Sequence, residues 1–342
     1  MHLAHTASMT LANKAAENAV DIDVPAWNWA AVGALIVVLL IADIVLVHKD
    51  AHEVSFKEAA IESAVWITIG LSFGILMWVW HGGAAAGEYY SGYLLEKSLS
   101  IDNVFVWALI LNYFAVPRMY QFRVLFWGVF GALVLRAIFV FAGVALIERF
   151  EWVMYIFGAF LLYTAAKLAF QDDDDDVEPE SSVVLRVVRK VVPSTNTYDG
   201  QKLFTRHDPD RPGVRLATPL FAVLVLVEAT DVVFAVDSVP AILAVSREQF
   251  IVLTSNAFAI LGLRSLYFLL ADMHERFERL QEGLAIILAF VGIKMLIGHW
   301  YHIPTGASLV FIAVVLTVAI LMSLKSTPKT PHEPQGPAVP LE

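Results

Sequence analysis

The sequence predicts an all-α, polytopic transmembrane helical bundle with about nine spans. Of its 342 residues, 58% are hydrophobic and only 16% are charged, whereas a soluble domain carries about 25% charged residues. Mean hydropathy is +0.67. Continuous apolar runs recur along the chain, and many have the roughly 20 residues that a helix needs to cross a bilayer.

Nine segments have the composition of membrane-spanning helices. Glycine and proline mark several of the connectors between them, as at residues 81–83, 116–117 and 303–304. The predicted spans are residues 27–47, 64–80, 88–114, 124–147, 152–170, 217–245, 250–270, 284–299 and 306–324.

Positive charges predict the orientation of the bundle. With the N-terminus outside, the inward segments hold fifteen lysine and arginine residues and the outward segments hold three. We therefore expect an extracytoplasmic N-terminus and a cytoplasmic C-terminus in a bacterial inner membrane. The first 26 residues contain one fixed positive charge, Lys14, which is not typical of a secretory signal.

The hydrophilic segment 171–216 opens with five consecutive aspartates, Asp172 to Asp176. Adjacent like charges repel one another and favour a solvated linker, and a cytoplasmic metal-sensing patch is the alternative. The tail from Ser326 is rich in proline and is predicted to be disordered.

An internal repeat relates residues 88–170 to residues 217–299. Four landmarks keep their spacing to within one residue, and an odd number of spans in each copy predicts an inverted repeat, with the site near the midplane. A second register, in which Glu96-x5-Asp102 matches Asp231-x5-Asp237, fits as well. The landmarks of the first register are Asp102 with Asp231, Arg136 with Arg264, Glu148 with Glu275, and Lys167 with Lys294.

The repeat and the charge pattern divide the chain into seven parts. They are an N-terminal tail (1–26), the first two spans (27–87), repeat 1 (88–170), a charged loop (171–216), repeat 2 (217–299), a last span (300–325) and a cytoplasmic tail (326–342).

Acidic residues are concentrated in the third and sixth spans. Each acid near a helix centre costs about 2.5–3.5 kcal/mol on translocon scales, so these groups must face one another, a cation, basic partners or water. Within those two spans only Lys97 is basic, which favours a cation path over structural ion pairing or a proton relay without metal. The acids are Glu88, Glu96, Asp102, Glu228, Asp231 and Asp237.

A hard-cation site requires that these acids converge. Glu96 and Asp102 lie about 120° apart on an ideal helix, so we expect a break between them, near Ser98 and Ser100. Pro240 removes a helical hydrogen bond, and we expect it to break the sixth span as well.

The predicted ligand set contains oxygen donors alone. The chain has no cysteine, and its histidines lie mostly in loops and tails, so the donors suit Mn²⁺, Mg²⁺ or Ca²⁺. The cation is expected as cargo, with no permanently bound cofactor. The predicted metal ligands are Glu96, Asp102, Asn103, Glu228, Asp231 and Asp237, and the predicted charge partners are Lys97, Arg136 and Arg264.

Several other functions are not supported. The sequence contains no phosphate-binding loop of the G-x-x-x-x-G-K type, no basic patch suited to nucleic acid and no catalytic motif of a membrane protease. We therefore do not expect an enzyme.

Three strings resemble the TerC family of integral membrane proteins, which is named for tellurium resistance. They are EKSLSIDNVFV at 96–106, DVVFAVDSVPA at 231–241 and NAFAILGLRSLY at 256–267. The resemblance extends from about residue 30 to 325 and is strongest to the Alx-like branch. It implies a nine-span fold related to LysE-type exporters, and manganese export through the matching acids.

These observations lead to two hypotheses. The first is a secondary transporter that exports Mn²⁺ or a similar cation. Crowded carboxylates release protons when metal binds, so protons are the expected counter-ion. The second is a membrane scaffold or assembly factor, acting in a metal- or tellurite-stress response, without a transport cycle of its own.

Overall fold

The computed structural model describes residues 22–43, 54–150, 152–170, 192–207 without 196, 211–270 without 212, and 278–325 without 299 and 302. The predictions for the acidic run 172–176 and for the two tails lie outside these residues. The helices are α1 Ala26–Ala42, α2 Phe56–Tyr113, α3 Arg118–Arg149, α4 Val153–Phe170, α5 Pro219–Leu243, α6 Gln249–Leu261, α7 Leu263–Leu270, α8 Glu278–Ile297 and α9 Thr305–Lys325.

Among the described residues, four helices are long and apolar enough to cross a membrane: α2, α3, α5 and α9. The bent pair α6–α7 would make a fifth, and α1 and α4 are shorter apolar helices. The prediction of a multi-pass helical membrane protein is confirmed. The count of nine crossings stays a prediction, although each of the nine predicted segments overlaps a helix.

Helix α2 has 58 residues and consists of two arms that fold against each other. Gly82 interrupts it with φ 86° and ψ 178°, a conformation that glycine adopts without a Cβ clash. Beyond this kink, Tyr89 and Tyr90 donate their hydroxyls to the carbonyls of Gly70 and Leu71, both at 2.8 Å. The arms therefore form a helical hairpin, with its turn where the sequence predicts a connector.

The predicted breaks at the acids are wrong. The second arm of α2 is helical throughout, and Ser98 donates its hydroxyl to the carbonyl of Leu94 at 2.7 Å instead of marking a break. Helix α5 also continues through Pro240 to Leu243. A break occurs instead at Gly262, where α6 and α7 meet at 40°. A break needs a backbone that leaves helical geometry, which hydroxyls alone do not impose.

Close backbone approaches hold the bundle together. Helix α8 packs mainly on α4, α6 on α2, and α5 on α3. At the α4–α8 crossing, a Cβ placed on Gly292 would lie 2.9 Å from the carbonyl oxygen of Gly158, and one placed on Gly158 would lie 3.1 Å from that of Gly292, so glycine lets the two backbones approach closely. Small residues allow this spacing between membrane helices.

The second half of the charged loop is folded. Strands β1 Phe204–Thr205 and β2 Leu216–Ala217 pair antiparallel, which departs from a purely helical prediction. Tyr198 donates its hydroxyl to the carbonyl of Phe114 at 2.7 Å, at the end of α2. The described part of the loop is therefore attached to the bundle rather than being a solvated linker.

Candidate metal centre

The candidate site begins with a buried ion pair between two predicted residues. Glu96 on the second arm of α2 is fully buried, and Arg136, near the middle of α3, is 4% exposed; their side chains are in direct contact. Arg136 Nη1 also donates to Asn256 Oδ1 at 3.1 Å, and Asn256 is fixed by donating to the carbonyl of Val252 at 3.0 Å. Three helices thus meet at one guanidinium.

Helix α5 adds two more carboxylates beside this pair. Asp231 is 3% exposed and interacts electrostatically with Arg136, Glu228 and Glu96. Its Oδ2 is buried and has no hydrogen-bond partner among the described residues. The Glu228 carboxylate, one helical turn earlier, packs directly against Gly131 of α3, where any side chain would overlap it. The glycine therefore makes room for the acid.

A cavity of about 110 Å³ lies next to Arg136. Its polar lining includes Asp237, which accepts a 2.9 Å hydrogen bond from the Thr164 hydroxyl. Asn103 Oδ1 and Ser238 Oγ are buried without a hydrogen-bond partner in the described part of the chain. Unsatisfied buried oxygens are costly in an apolar interior, and a hard cation would satisfy them. The complete lining is Leu99, Asn103, Arg136, Thr164, Leu168, Phe234, Asp237, Ser238, Leu284 and Leu288.

The structure thus brings together most of the predicted ligands. Asn103 and Asp237 line the cavity with Arg136, and Arg136 links them to Glu96 and Asp231. The side chain of Asp102, which lies on the same arm of α2, is outside the described residues. Among those described, no three acidic or histidine side chains are close enough to hold a metal ion together, and Glu96 is paired with Arg136.

The other two predicted charge partners, Lys97 and Arg264, do not line the cavity. Lys97 Nζ donates to the carbonyl of Ala259 at 3.1 Å and interacts electrostatically with Glu96. Arg264 contacts Asp43 at 2.5 and 2.7 Å and Glu62 at 3.1 Å, and its guanidinium lies 4.2 Å from the Phe122 ring centroid. We call Asp43, Glu62 and Arg264 the clamp.

Sequence reasoning missed several functional candidates. Asn256, Thr164 and Ser238 were not predicted as site residues, although each is a polar residue inside an otherwise apolar run. Asp43 and Glu62 were also missed as partners of Arg264, although Asp43 lies within the first predicted span and Glu62 just before the second. Polar residues at membrane depth are the signal that could have found them.

The fold and this interior define a multi-pass helical membrane protein that holds several carboxylates inside an apolar bundle. The chain belongs to the TerC family, described as integral membrane proteins, which it matches over residues 81–330. No solved structure matches it.

Curated relatives cover most of the chain. It is 46% identical to membrane protein STKORF319 of Myxococcus xanthus, over 91% of this chain and 95% of the relative. It is 47% identical to Alx of Escherichia coli K12, a proposed membrane-bound redox modulator, over 85% and 93%. It is 41% identical to the chloroplastic thylakoid membrane protein TERC of Arabidopsis thaliana, over 81% and 70%.

Proposed function

We propose that this protein is a secondary transporter that exports a divalent metal cation, with Mn²⁺ as the favoured cargo. The observation that carries the proposal is the group of carboxylates from α2 and α5 around Arg136: Glu96 and Asp231 are buried, and Asp237 lines the cavity that Arg136 borders. Ionisable groups in a membrane interior are costly and mark ion pathways. Carboxylate, amide and hydroxyl oxygens without thiolates suit hard cations.

In this proposal each site residue has a definite role. Glu96, Asp231 and Asp237 supply negative charge, and Asn103 supplies a neutral oxygen from the wall of the cavity. Glu228 adds charge one turn from Asp231. Asp102 is assigned to the set from the sequence pattern alone.

The helix contacts support the proposed inverted repeat. In the predicted repeat, α2 corresponds to α5, α3 to α6 and α4 to α8. The contact of α2 with α6 therefore corresponds to the contact of α5 with α3, and the contact of α4 with α8 corresponds to itself. Both pairs of contacts are present in the described residues. Such a repeat provides two alternative packings around a central site, which is what alternating access requires.

Proton antiport in a bacterial inner membrane is part of the proposal, with the N-terminus outside and the C-terminus in the cytoplasm. The positive-inside bias supports the orientation. Carboxylates release protons when a metal binds, so protons entering by the same site would drive the cation outward.

A scaffold without a transport cycle is the alternative function. A solvated loop that recruits partners would favour it, whereas the described part of the loop is attached to the end of α2. The redox role in the names of Alx relatives would have to be indirect here, since the chain has no cysteine thiols of its own.

The test is transport by purified protein in liposomes. A panel of Mn²⁺, Mg²⁺, Ca²⁺ and Zn²⁺ gradients is applied, and metal flux is recorded together with a trapped pH dye. We expect Mn²⁺ flux with opposing proton movement. Mn²⁺ flux without a dye response would end the antiport proposal but leave an exporter.

Asp237→Asn is the decisive variant. It keeps the size of the side chain and one oxygen but removes the charge that a hard cation requires, so we expect Mn²⁺ flux to fall by about a hundredfold. Asp199→Asn, the same change in the loop, is the matched control and should transport normally. Equal flux in Asp237→Asn and the wild type would overturn the site, and no flux of any cation in the wild type would overturn the function.

A further inference from the structure

Arg136 is the best-connected positive charge at the candidate site. Its guanidinium contacts the fully buried Glu96 and donates to Asn256, and it also borders the cavity that Asp237 lines. In the described conformation, a protein cation thus occupies a carboxylate that we assign to the metal.

Metal and guanidinium cannot share Glu96. A divalent cation binds carboxylate oxygens at about 2.0–2.6 Å and takes their charge for itself. A guanidinium on the same oxygens would repel it strongly, because two cations at that range in a buried site are poorly screened. Binding of metal to Glu96 therefore requires that Arg136 leave it.

The structure provides an anchor for the displaced side chain. Arg136 Nη1, the atom that contacts Glu96, also donates to Asn256 Oδ1, and Asn256 is itself held by the Val252 carbonyl. The cavity beside Arg136 is larger than the volume of about 30 Å³ that one water occupies, so it also offers room for movement. The guanidinium can therefore leave Glu96 while it remains bound at the edge of the site.

We propose that Arg136 is a tethered counter-cation: it neutralises Glu96 when the site holds no metal, and an incoming divalent cation displaces it. This inference rests on the proposed function and adds a specificity-determining residue to it. A monovalent cation competes poorly with a guanidinium for a carboxylate, whereas a divalent cation has the charge to replace it.

The proposal has a consequence for the empty carrier. An uncompensated buried carboxylate is strongly unfavourable, so a carrier without a tethered cation would be held in place until it bound another ion. Arg136 supplies the missing charge at Glu96, so that the metal-free protein can reorient with protons on the other carboxylates of the site. Net export then needs Arg136, whereas one-for-one exchange of Mn²⁺ across the membrane does not.

The experiment separates these two activities in the purified, reconstituted full chain. Arg136→Gln should bind Mn²⁺ about tenfold more tightly, since it removes the competing cation. It should retain Mn²⁺–Mn²⁺ exchange and lose net Mn²⁺ efflux by about tenfold or more. Arg136→Lys keeps a positive charge and should retain net efflux, which gives a readout even if the glutamine variant folds poorly.

Arg149→Gln is the matched control, because it makes the same substitution on the same helix at an exposed position. It should show no gain in Mn²⁺ affinity. Two results with a folded Arg136→Gln variant would overturn the inference and leave the proposed export function intact. The variant would bind Mn²⁺ more weakly than the wild type, or it would lose exchange and efflux equally. Loss of net efflux in Arg136→Lys, with normal folding, also overturns it. A wild-type protein that neither binds nor moves Mn²⁺ overturns the proposed function, and the inference with it.

Discussion

Arg136 and Arg264 occupy matching positions in the predicted repeats, yet their surroundings differ. Arg136 faces several carboxylates, a cavity and buried oxygens without partners among the described residues. Arg264 is enclosed by two carboxylates and an aromatic ring. The first arrangement leaves room for a competing ion, whereas the second is closed. The comparison teaches that arginines at matching positions of the predicted repeats can have different surroundings, one at the candidate site and the other in a closed ion pair.

The largest effect that would sharpen this comparison is on stability. Arg264→Gln removes the positive charge that Asp43 and Glu62 contact at 9% and 10% exposure, and breaking a buried ion pair in this way costs about 3–5 kcal/mol. We expect a large fall in the unfolding midpoint in detergent. Adding Asp43→Asn should recover part of it.

Arg149→Gln, at the exposed end of α3, is the control for that experiment and should change the free energy of unfolding by less than about 0.5 kcal/mol. If Arg264→Gln behaves like Arg149→Gln, the clamp does not hold the first two spans to the second repeat.

The next largest expected effect is on Mn²⁺ flux, and it distinguishes the carboxylate partners of the two arginines. Glu96→Gln removes charge from the candidate site, and we expect Mn²⁺ flux in liposomes to fall by about thirtyfold. Glu62→Gln leaves Arg264 bound to Asp43, so flux should stay within about twofold of the wild type. Similar losses in both variants would contradict the division into a site and a clamp.

Much of this arrangement could be predicted, because apolar length and turn residues decide where membrane helices begin and end. The apolar runs predicted where the helices lie, and the glycines at 82 and 83 predicted the turn of the α2 hairpin. The acids of α2 and α5 were recognised because charge is conspicuous in an apolar span. These features are local, so a single sequence contains them.

The partners across the bundle could not be predicted. Arg264 reaches Asp43, which is 221 residues away, and Thr164 reaches Asp237, which is 73 residues away. Such pairs depend on which helices become neighbours, and periodicity within one helix does not encode that choice. The predicted breaks did not occur because Ser98 donates its hydroxyl within its own helix and because α5 stays helical through Pro240.

A smaller effect should follow from the glycine beneath Glu228. Gly131→Ala places a methyl group where the carboxylate lies, so the acid must shift. Overpacking of this kind costs about 1–3 kcal/mol, and we expect a several-fold loss of Mn²⁺ flux. Gly33→Ala in α1, where a Cβ meets no atom within 4 Å, is the control and should be silent. Unchanged flux in Gly131→Ala would remove Glu228 from the site.

The smallest effect lies in the loop, away from both arginines. Hydrogen bonds from Thr205 and then Lys202 hold the pKa of Asp199 below its ordinary value of 3.8. The ionised Asp199 carboxylate therefore stabilises the folded loop. This stabilisation is complete above the ordinary pKa and is lost as the pH falls through the lowered pKa. The protection factors of the amides of residues 203–205, in which exchange rates are corrected for their intrinsic pH dependence, should therefore be steady from pH 7 to 5 and fall only below about pH 4. Asp199→Asn should abolish this dependence, and an identical acid transition in that variant would contradict the assignment.

The glycine contact between α4 and α8 constrains which parts of the bundle can move. At this crossing the carbonyl oxygens of Gly158 and Gly292 lie against the opposite helix, with Leu162 and Leu296 packed beside them, so sliding would force backbone atoms into collision. These two helices, one from each predicted repeat, should therefore move as a single rigid body. Any rocking that opens the interior to one side of the membrane and then to the other must come from the remaining helices turning about that fixed pair.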